Sequence, residues 1–278
     1  MGTKKFILNV APTGIIPTKK TTPHVPITPG EIVREILDLA SRGVTMVHLH
    51  ARDPETDKPA YQKEIYAEII HGIRSREKDL ILCVSTSGRI FPEFEKRSDV
   101  LELRGEVKPD FASLTLSSLN FREEASMNSP RMVESLASKM MERNIRPEIE
   151  VFDLGMINYA KYLMKKGLIT APCYLNLILG NVASAQADLL SMGLMVRELP
   201  EGSIWSAGGI GDSQLTVNVM ALVAGGGVRV GLEDNLWMDR DRSSLATNRE
   251  LVERLISIAN ELGLSPYTPR EARAVLGM

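Results

Sequence analysis

Thr45-Met46-Val47-His48-Leu49-His50-Ala51-Arg52-Asp53 reads as a buried strand that ends in polar residues. Its first half is β-branched and apolar, and its end carries two of the chain's four histidines. Side chains alternate across a strand, so His48 and His50 share one face, about 6–7 Å apart along it. Two imidazoles at that reach, tilted toward each other, can hold one divalent metal. An isolated His-x-His reads equally well as two unrelated histidines satisfied by backbone groups. The surrounding sequence has to decide.

Upstream, Thr28-Pro29-Gly30-Glu31 starts a helix, with Thr28 as N-cap, proline in the first turn and glutamate three residues on. Ile32, Ile36, Leu39 and Ala40 keep helical spacing until Gly43 closes it. Before that helix, residues 6–12 form a short apolar strand broken by Pro12 and Gly14. The long loop that follows carries Pro17, Pro23 and Pro26, and an ordered loop of that length is more often functional than idle. Downstream the alternation repeats. Helices are expected near 62–74, 95–104, 130–144, 155–166, 184–194, 214–224 and 248–262. Strands are expected at 80–86, 111–116, 148–153, 174–179, 203–209 and 228–234. About eight strand–helix units with short connections give an α/β fold, a single (β/α)8 TIM barrel spanning residues 1–278 as one catalytic domain. An open doubly wound sheet would want a Gly-rich dinucleotide turn after its first strand, and Pro12-Thr13-Gly14-Ile15 is not that turn.

Composition narrows the function classes. A hydrophobic content of 44% supports a substantial core, and a formal net charge of −2 argues against a nucleic-acid-binding surface. Cys83 and Cys173 lie in apolar runs and read as buried thiols of a reducing compartment, with no disulfide framework. No apolar run approaches the roughly 20 residues that span a bilayer. Met1-Gly2-Thr3-Lys4-Lys5 runs straight into a strand-like segment, so no signal peptide and a cytoplasmic location are expected.

In a barrel of this kind active sites sit at the C-terminal strand ends. Polar residues collect there: His48 and His50, Ser85 and Thr86, Ser113, Glu150, Asn176, Arg229, Glu233 and Asp234. Alternation puts Arg229, Gly231 and Glu233 on one face of the last strand. Barrel closure brings that strand beside the first, one strand from the histidines, so Glu233 is placed to be a third ligand. Two histidines and a glutamate with an open fourth position make a catalytic rather than a structural zinc set. A metal-dependent hydrolase also uses His-x-His on a barrel strand but brings further histidines from later strands. Here none follows His71, which falls in an expected helix, and His24 sits in the proline-rich loop.

The segments Ala11-Pro12-Thr13-Gly14, His48-Leu49-His50-Ala51-Arg52, Ser85-Thr86-Ser87-Gly88, Phe111-Ala112-Ser113-Leu114, Pro147–Asp153, Trp205–Gly211 and Val228–Asn235 resemble the β-keto acid cleavage enzyme family over nearly the whole chain. The resemblance implies a zinc-bearing barrel that converts a β-keto acid and acetyl-CoA into acetoacetate and a new acyl-CoA. It implies His48, His50 and Glu233 as zinc ligands and Asp234 as the base, with Arg229 orienting it and Glu148 or Glu150 completing the dyad. Glu150 lies nearer the active end. Ser85, Thr86 and Ser113 match positions that hold the substrate carboxylate. Gly208-Gly209-Ile210-Gly211 follows a strand and precedes a helix, so Gly209 and Gly211 are candidates for cradling a CoA phosphate. Asp212, where relatives tend to carry a basic residue, departs from that pattern. The uncharged Ile16 stands where an acidic loop would recognise an amine, so the substrate's far end is expected to be apolar or small rather than cationic. The resemblance also implies a homo-oligomer, a tetramer, with Trp237-Met238 at a subunit contact. Outside this class stand a CoA-free metal-dependent aldolase or decarboxylase and a catalytically silent binding barrel. Acetyl-CoA dependence and retained zinc separate them.

Overall fold

Eight short apolar runs form the strands of the barrel in the computed structural model, which describes residues 4–278. In chain order they are β1 (Leu8–Val10), β2 (Met46–Leu49), β3 (Ile81–Val84), β4 (Phe111–Thr115), β5 (Arg146–Val151), β6 (Tyr174–Leu179), β7 (Ile204–Gly209) and β8 (Gly227–Val230). Each pairs parallel with its sequence neighbour, and β8 closes onto β1 through Arg229 opposite Asn9. Asn9 in turn lies opposite Met46 on β2, so the last strand sits one strand from the histidines, as the spacing predicts.

Alternation divides the barrel. Leu8, Val10, Val47 and Leu49 pack outward against the helices in the main core. Inward, the lower layer is apolar, with Ile7, Met46, Ile81, Phe111 and Tyr174 in one cluster. One pleat higher, the interior turns polar at Asn9, His48, Glu148, Asn176 and Arg229, all buried. Polar side chains there need partners, because an unpaired buried polar group costs about 1–3 kcal/mol.

The helices are α1 (Pro29–Ala40), α2 (Lys63–Arg74), α3 (Phe94–Ser98), α4 (Pro130–Glu142), α5 (Leu154–Lys165), α6 (Leu189–Arg197), α7 (Gln214–Val223), α8 (Asn248–Glu261) and α9 (Pro269–Val275). The capping box of α1 forms as read: Thr28 Oγ1 accepts from the Glu31 amide, and the Glu31 carboxylate accepts from the Thr28 amide. Two expected helices differ. The run 95–104 breaks into α3 and a 3-10 turn over Asp99–Glu102. The run 184–194 starts late, because Asp188 is the N-cap and takes the Ser191 amide. α9, which hydrophobic periodicity did not single out, follows a short strand at Leu264–Pro266 that pairs with Lys4–Phe6. Its Ala272, with Leu276 just beyond it, plugs the barrel floor. Among the described residues no helix is long and apolar enough to cross a membrane.

The last strand also ends early. Gly231 takes φ +146°, and a Cβ there would lie 2.1 Å from the Ala11 carbonyl oxygen. The chain turns, with the Asp234 and Asn235 amides both donating to the Gly231 carbonyl. Glu233 and Asp234 therefore sit on a tight turn beyond β8, not on the strand face that alternation gave them.

Candidate active site

His48 rises from β2 and His50 follows the strand's last residue, both almost wholly buried. Their Nε2 atoms face each other at 3.3 Å, and His50 Nε2 lies 3.3 Å from Glu233 Oε1. His48 Nδ1 donates to Glu148 Oε2 at 2.5 Å, which fixes the tautomer and turns the Nε2 lone pair toward His50 and Glu233. The approach of Glu233 depends on a glycine: Gly14 has φ +64°, and a Cβ there would lie 2.6 Å from Glu233 Cγ. Asn248 holds the same turn by accepting from the Leu232 amide and donating to the Pro12 carbonyl.

These three side chains bring ligand atoms within 4.8 Å of one another. Glu233 Oε2 is buried and has no hydrogen-bond partner. Two facing imidazole nitrogens with an orphaned carboxylate oxygen are a poor protein–protein arrangement and a good donor set for a divalent cation of the zinc type. Burial works against an imidazolium at His48, but the Glu148 and Glu233 charges outweigh it and lift the group to about 9. Burial likewise opposes ionisation of Glu233, yet His50, Arg229 and His48 hold its carboxyl well below the usual range.

Arg229 organises the opposite wall. Its Nε donates to Asp234 Oδ2 at 2.9 Å, Nη2 to Glu233 Oε1 at 2.7 Å, and Nη1 reaches Glu150 Oε1 at 3.4 Å. Burial, with the Glu233 charge added, raises the Asp234 carboxyl above its ordinary value despite Arg229. A raised carboxylate is a stronger base. Of the two β5 glutamates, Glu150 belongs to this dyad and Glu148 belongs to His48.

The remaining expected residues divide. Ser85 lines a cavity of about 730 Å³ together with His48, His50, Glu150, Arg229 and Asp234. Thr86 and Ser113 bond each other instead: Thr86 Oγ1 donates to the Ser113 carbonyl at 2.6 Å, and Ser113 Oγ accepts the Thr86 amide at 3.0 Å. Neither lines the main cavity. They splice the ends of β3 and β4. The glycine turn is likewise bonded within the protein. The Gly211 amide donates to the Asp234 carbonyl at 2.7 Å, and Gly209 is bare because the Ser213 backbone occupies its Cβ position. The turn positions Asp234, and Gly211 lines the cavity. Asp212 faces Arg242 at 3.3 Å, so the acid that departs from the expected basic residue carries a cation across the mouth. Ile16 is on the cavity wall and exposed, and Trp237, which the sequence assigned to a subunit contact, is half-buried on the same wall.

Three buried residues that support the site had no periodic signal. Arg52 donates to the Gly14 carbonyl and twice to the Asp57 carbonyl, which pins the first loop. Arg97 donates to the Thr86 carbonyl and to Asn128, which holds the β3 loop. Gln214 donates to the Gly231 carbonyl beneath the acidic turn. Each bonds backbone carbonyls of irregular chain, and only the fold brings those carbonyls near.

With the geometry in view, the chain can be compared with known proteins. A family model described as beta-keto acid cleavage enzyme matches residues 5–278. A Fusobacterium nucleatum protein named 3-keto-5-aminohexanoate cleavage enzyme is 37% identical over 277 residues, covering 99% of this chain and 98% of its own. A Cupriavidus necator protein named 3-oxoadipate:acetyl-CoA acetyltransferase is 35% identical over 279 residues, covering 99% and 96%. Among solved structures, apo ObcA superposes with a TM-score of 0.81 at 22% identity, over 92% of this chain and 66% of that one, a likeness of fold.

Proposed function

The chain belongs to the beta-keto acid cleavage enzyme family, and from that premise we propose that it is an acyltransferase taking a β-keto acid and acetyl-CoA to acetoacetate and a new acyl-CoA. The reading spans residues 1–278 as one catalytic unit. The observation that carries it is the convergence of His48, His50 and Glu233 beside a base, Asp234, that Arg229 holds on the same cavity wall.

His48, His50 and Glu233 would hold zinc, which when bound supplies Lewis-acid stabilisation for negative charge growing on the keto oxygen. Asp234 accepts a proton from the carbon between ketone and carboxylate, a task its raised carboxyl suits. Arg229 grips both Asp234 oxygens, which fixes the carboxylate on the cavity wall, and balances the cluster's negative charge. Glu150 takes the remaining arm of Arg229 and tempers its pull on Asp234. Ser85 offers a hydroxyl to the substrate carboxylate. The nucleophilic carbon then attacks the acetyl thioester, CoA leaves as thiol, and that thiol cleaves the adduct at the former ketone. The proposed enzyme is a homotetramer in the cytoplasm.

The decisive experiment is a coupled assay for acetoacetate across a panel of β-keto acids. Acetoacetate should appear only with acetyl-CoA and in equal amount to the acyl-CoA formed. Consumption of the keto acid without acetyl-CoA would instead identify a CoA-free aldolase or decarboxylase.

A further inference from the structure

Most cations on the cavity wall are accounted for. Arg229 is bonded to three carboxylates, Arg242 faces Asp212, and Arg122 is exposed to water at the rim. Arg89 is not accounted for. Its guanidinium lies 4.0 Å above the centre of the Phe121 ring, half-buried, with no ion pair or hydrogen bond among the described residues, and its Nε is out of reach of solvent without a partner among them. Phe121 is itself fixed edge-on against Phe152, 5.8 Å away. The ring pins one face of the guanidinium, and the donors at its edge are left without acceptors. Burial lowers this group from its ordinary value, and the Glu124, Glu123 and Glu233 charges, none of them paired with it, offset that only in part.

Arg89 stands four residues beyond Ser85 on the loop that leaves β3, and it lines the same cavity as Ser85, His48 and His50. The glycine turn with Asp212 and Arg242 lies on a different part of the wall, after β7. A molecule gripped beside the histidines thus lies in the cavity that Arg89 faces. Across the cavity, Ile15, Ile16 and Pro17 present no charge that would take a cation. On the activity proposed above, we infer that Arg89 receives a carboxylate at the far end of the β-keto acid, so that the preferred substrate is a dicarboxylate. The uncharged first loop excludes an amine, and Arg89 turns that exclusion into a positive choice.

The test uses two β-keto acids of equal length, one ending in a carboxylate and one in a methyl group, with wild type, Arg89→Gln and Arg89→Lys. Wild type should favour the dicarboxylate by about 10–100-fold in kcat/KM, the worth of one charged hydrogen-bonded contact. Arg89→Gln should collapse that ratio through KM, and Arg89→Lys should restore part of it. Equal losses on both acids would mean that Arg89 holds the carboxylate common to them. A loss confined to the KM of acetyl-CoA would make it a phosphate contact. Either result overturns the inference, as does a wild-type preference for the methyl-ended acid. Calorimetric binding of an unreactive saturated dicarboxylate separates the two readings. Arg89-dependent binding without turnover of either acid would sink the proposed reaction and leave this site standing. Turnover of both acids without preference would do the reverse.

Discussion

Glu148 and Glu150 stand two residues apart on β5 and point into the same barrel, yet their carboxyls are shifted in opposite directions. Burial opposes ionisation of both. Glu148 is surrounded by donors: His48 Nδ1, the Cys83 thiol, Asn9 Nδ2 and Asn176 Nδ2 all reach its two oxygens, and its carboxyl is held below the ordinary value. Glu150 has the Thr115 hydroxyl and one long contact to Arg229, and burial leaves its carboxyl raised. One residue type on one strand thus serves a sealed side that orients ligands and an open side that tunes a base. Local donors, not residue identity, divide the roles.

The open side should break first and hardest in activity. Asp234→Asn keeps one oxygen to accept from Arg229, loses the second bond, and cannot take a proton. Turnover in the acetoacetate assay is expected to fall by about 10²–10⁴-fold, with the thermal midpoint nearly unchanged. A variant that keeps more than a tenth of the activity would remove Asp234 from the role of base.

The sealed side should break in stability and metal retention. Glu148→Gln strips the charge that faces His48, a fully buried pair, and about 3–5 kcal/mol of stability is expected to go with it. Metal retention should weaken about 10–100-fold, since the imidazole loses its orienting carboxylate. In metal-stripped protein the sign of the pH effect follows from the shifts. His48, raised from 6.5 to about 9, contributes fully below 6.5 and loses that contribution as pH rises through about 9. Glu148, lowered from 4.5, contributes above 4.5 and loses it as pH falls. Thermal midpoints of the stripped wild type should decline between pH 6.5 and 9, and Glu148→Gln should flatten that decline. A parallel slope in both proteins would mean the pair is not the source.

A milder change sharpens the contrast on the open side. Glu150→Gln leaves Arg229 with one fewer carboxylate, so its full charge bears on Asp234 and lowers that carboxyl. The acid limb of the kcat/KM profile should move to lower pH by roughly one unit while the rate at the plateau falls about tenfold. No movement, or movement toward higher pH, would show that Glu150 does not hold the Asp234 carboxyl up, whether directly or through Arg229.

The sequence made the barrel legible because each strand is a short apolar run between turn signals, and the run Tyr174–Leu179 was bounded correctly at both ends. His48, His50, Glu233, Arg229 and Asp234 were legible because barrel closure follows from strand count alone. The route to Glu233 was not: alternation placed it on the strand, whereas Gly231 ends β8 and a turn delivers it. Strand-end hydroxyls were the weakest signal. Ser85, Thr86 and Ser113 look alike in sequence, and only their registers show that the last two bond each other. Arg89 had no sequence signal at all, because what marks it is the missing partner and not its position in a pattern.

The smallest expected effect separates the two glutamates by their uncharged donors. The Cys83 Sγ lies 3.1 Å from Glu148 Oε2, and the Thr115 hydroxyl lies 2.7 Å from Glu150 Oε2. A thiol is a weak donor, and Glu148 keeps three stronger ones without it. Burial pushes the Cys83 thiol well above its ordinary range, so it stays neutral and adds no charge to the network. Cys83→Ala should therefore cost about 1 kcal/mol, mostly from the small void, and leave kcat and metal content within about 2-fold of wild type. Thr115→Val removes the one short hydrogen bond of Glu150 and should disturb the acid limb more than it disturbs folding. If Cys83→Ala instead lowered metal content as far as Glu148→Gln does, the thiol would be holding the His48–Glu148 pair in place. The sealed side would then rest on four interdependent donors and not on a single dominant ion pair.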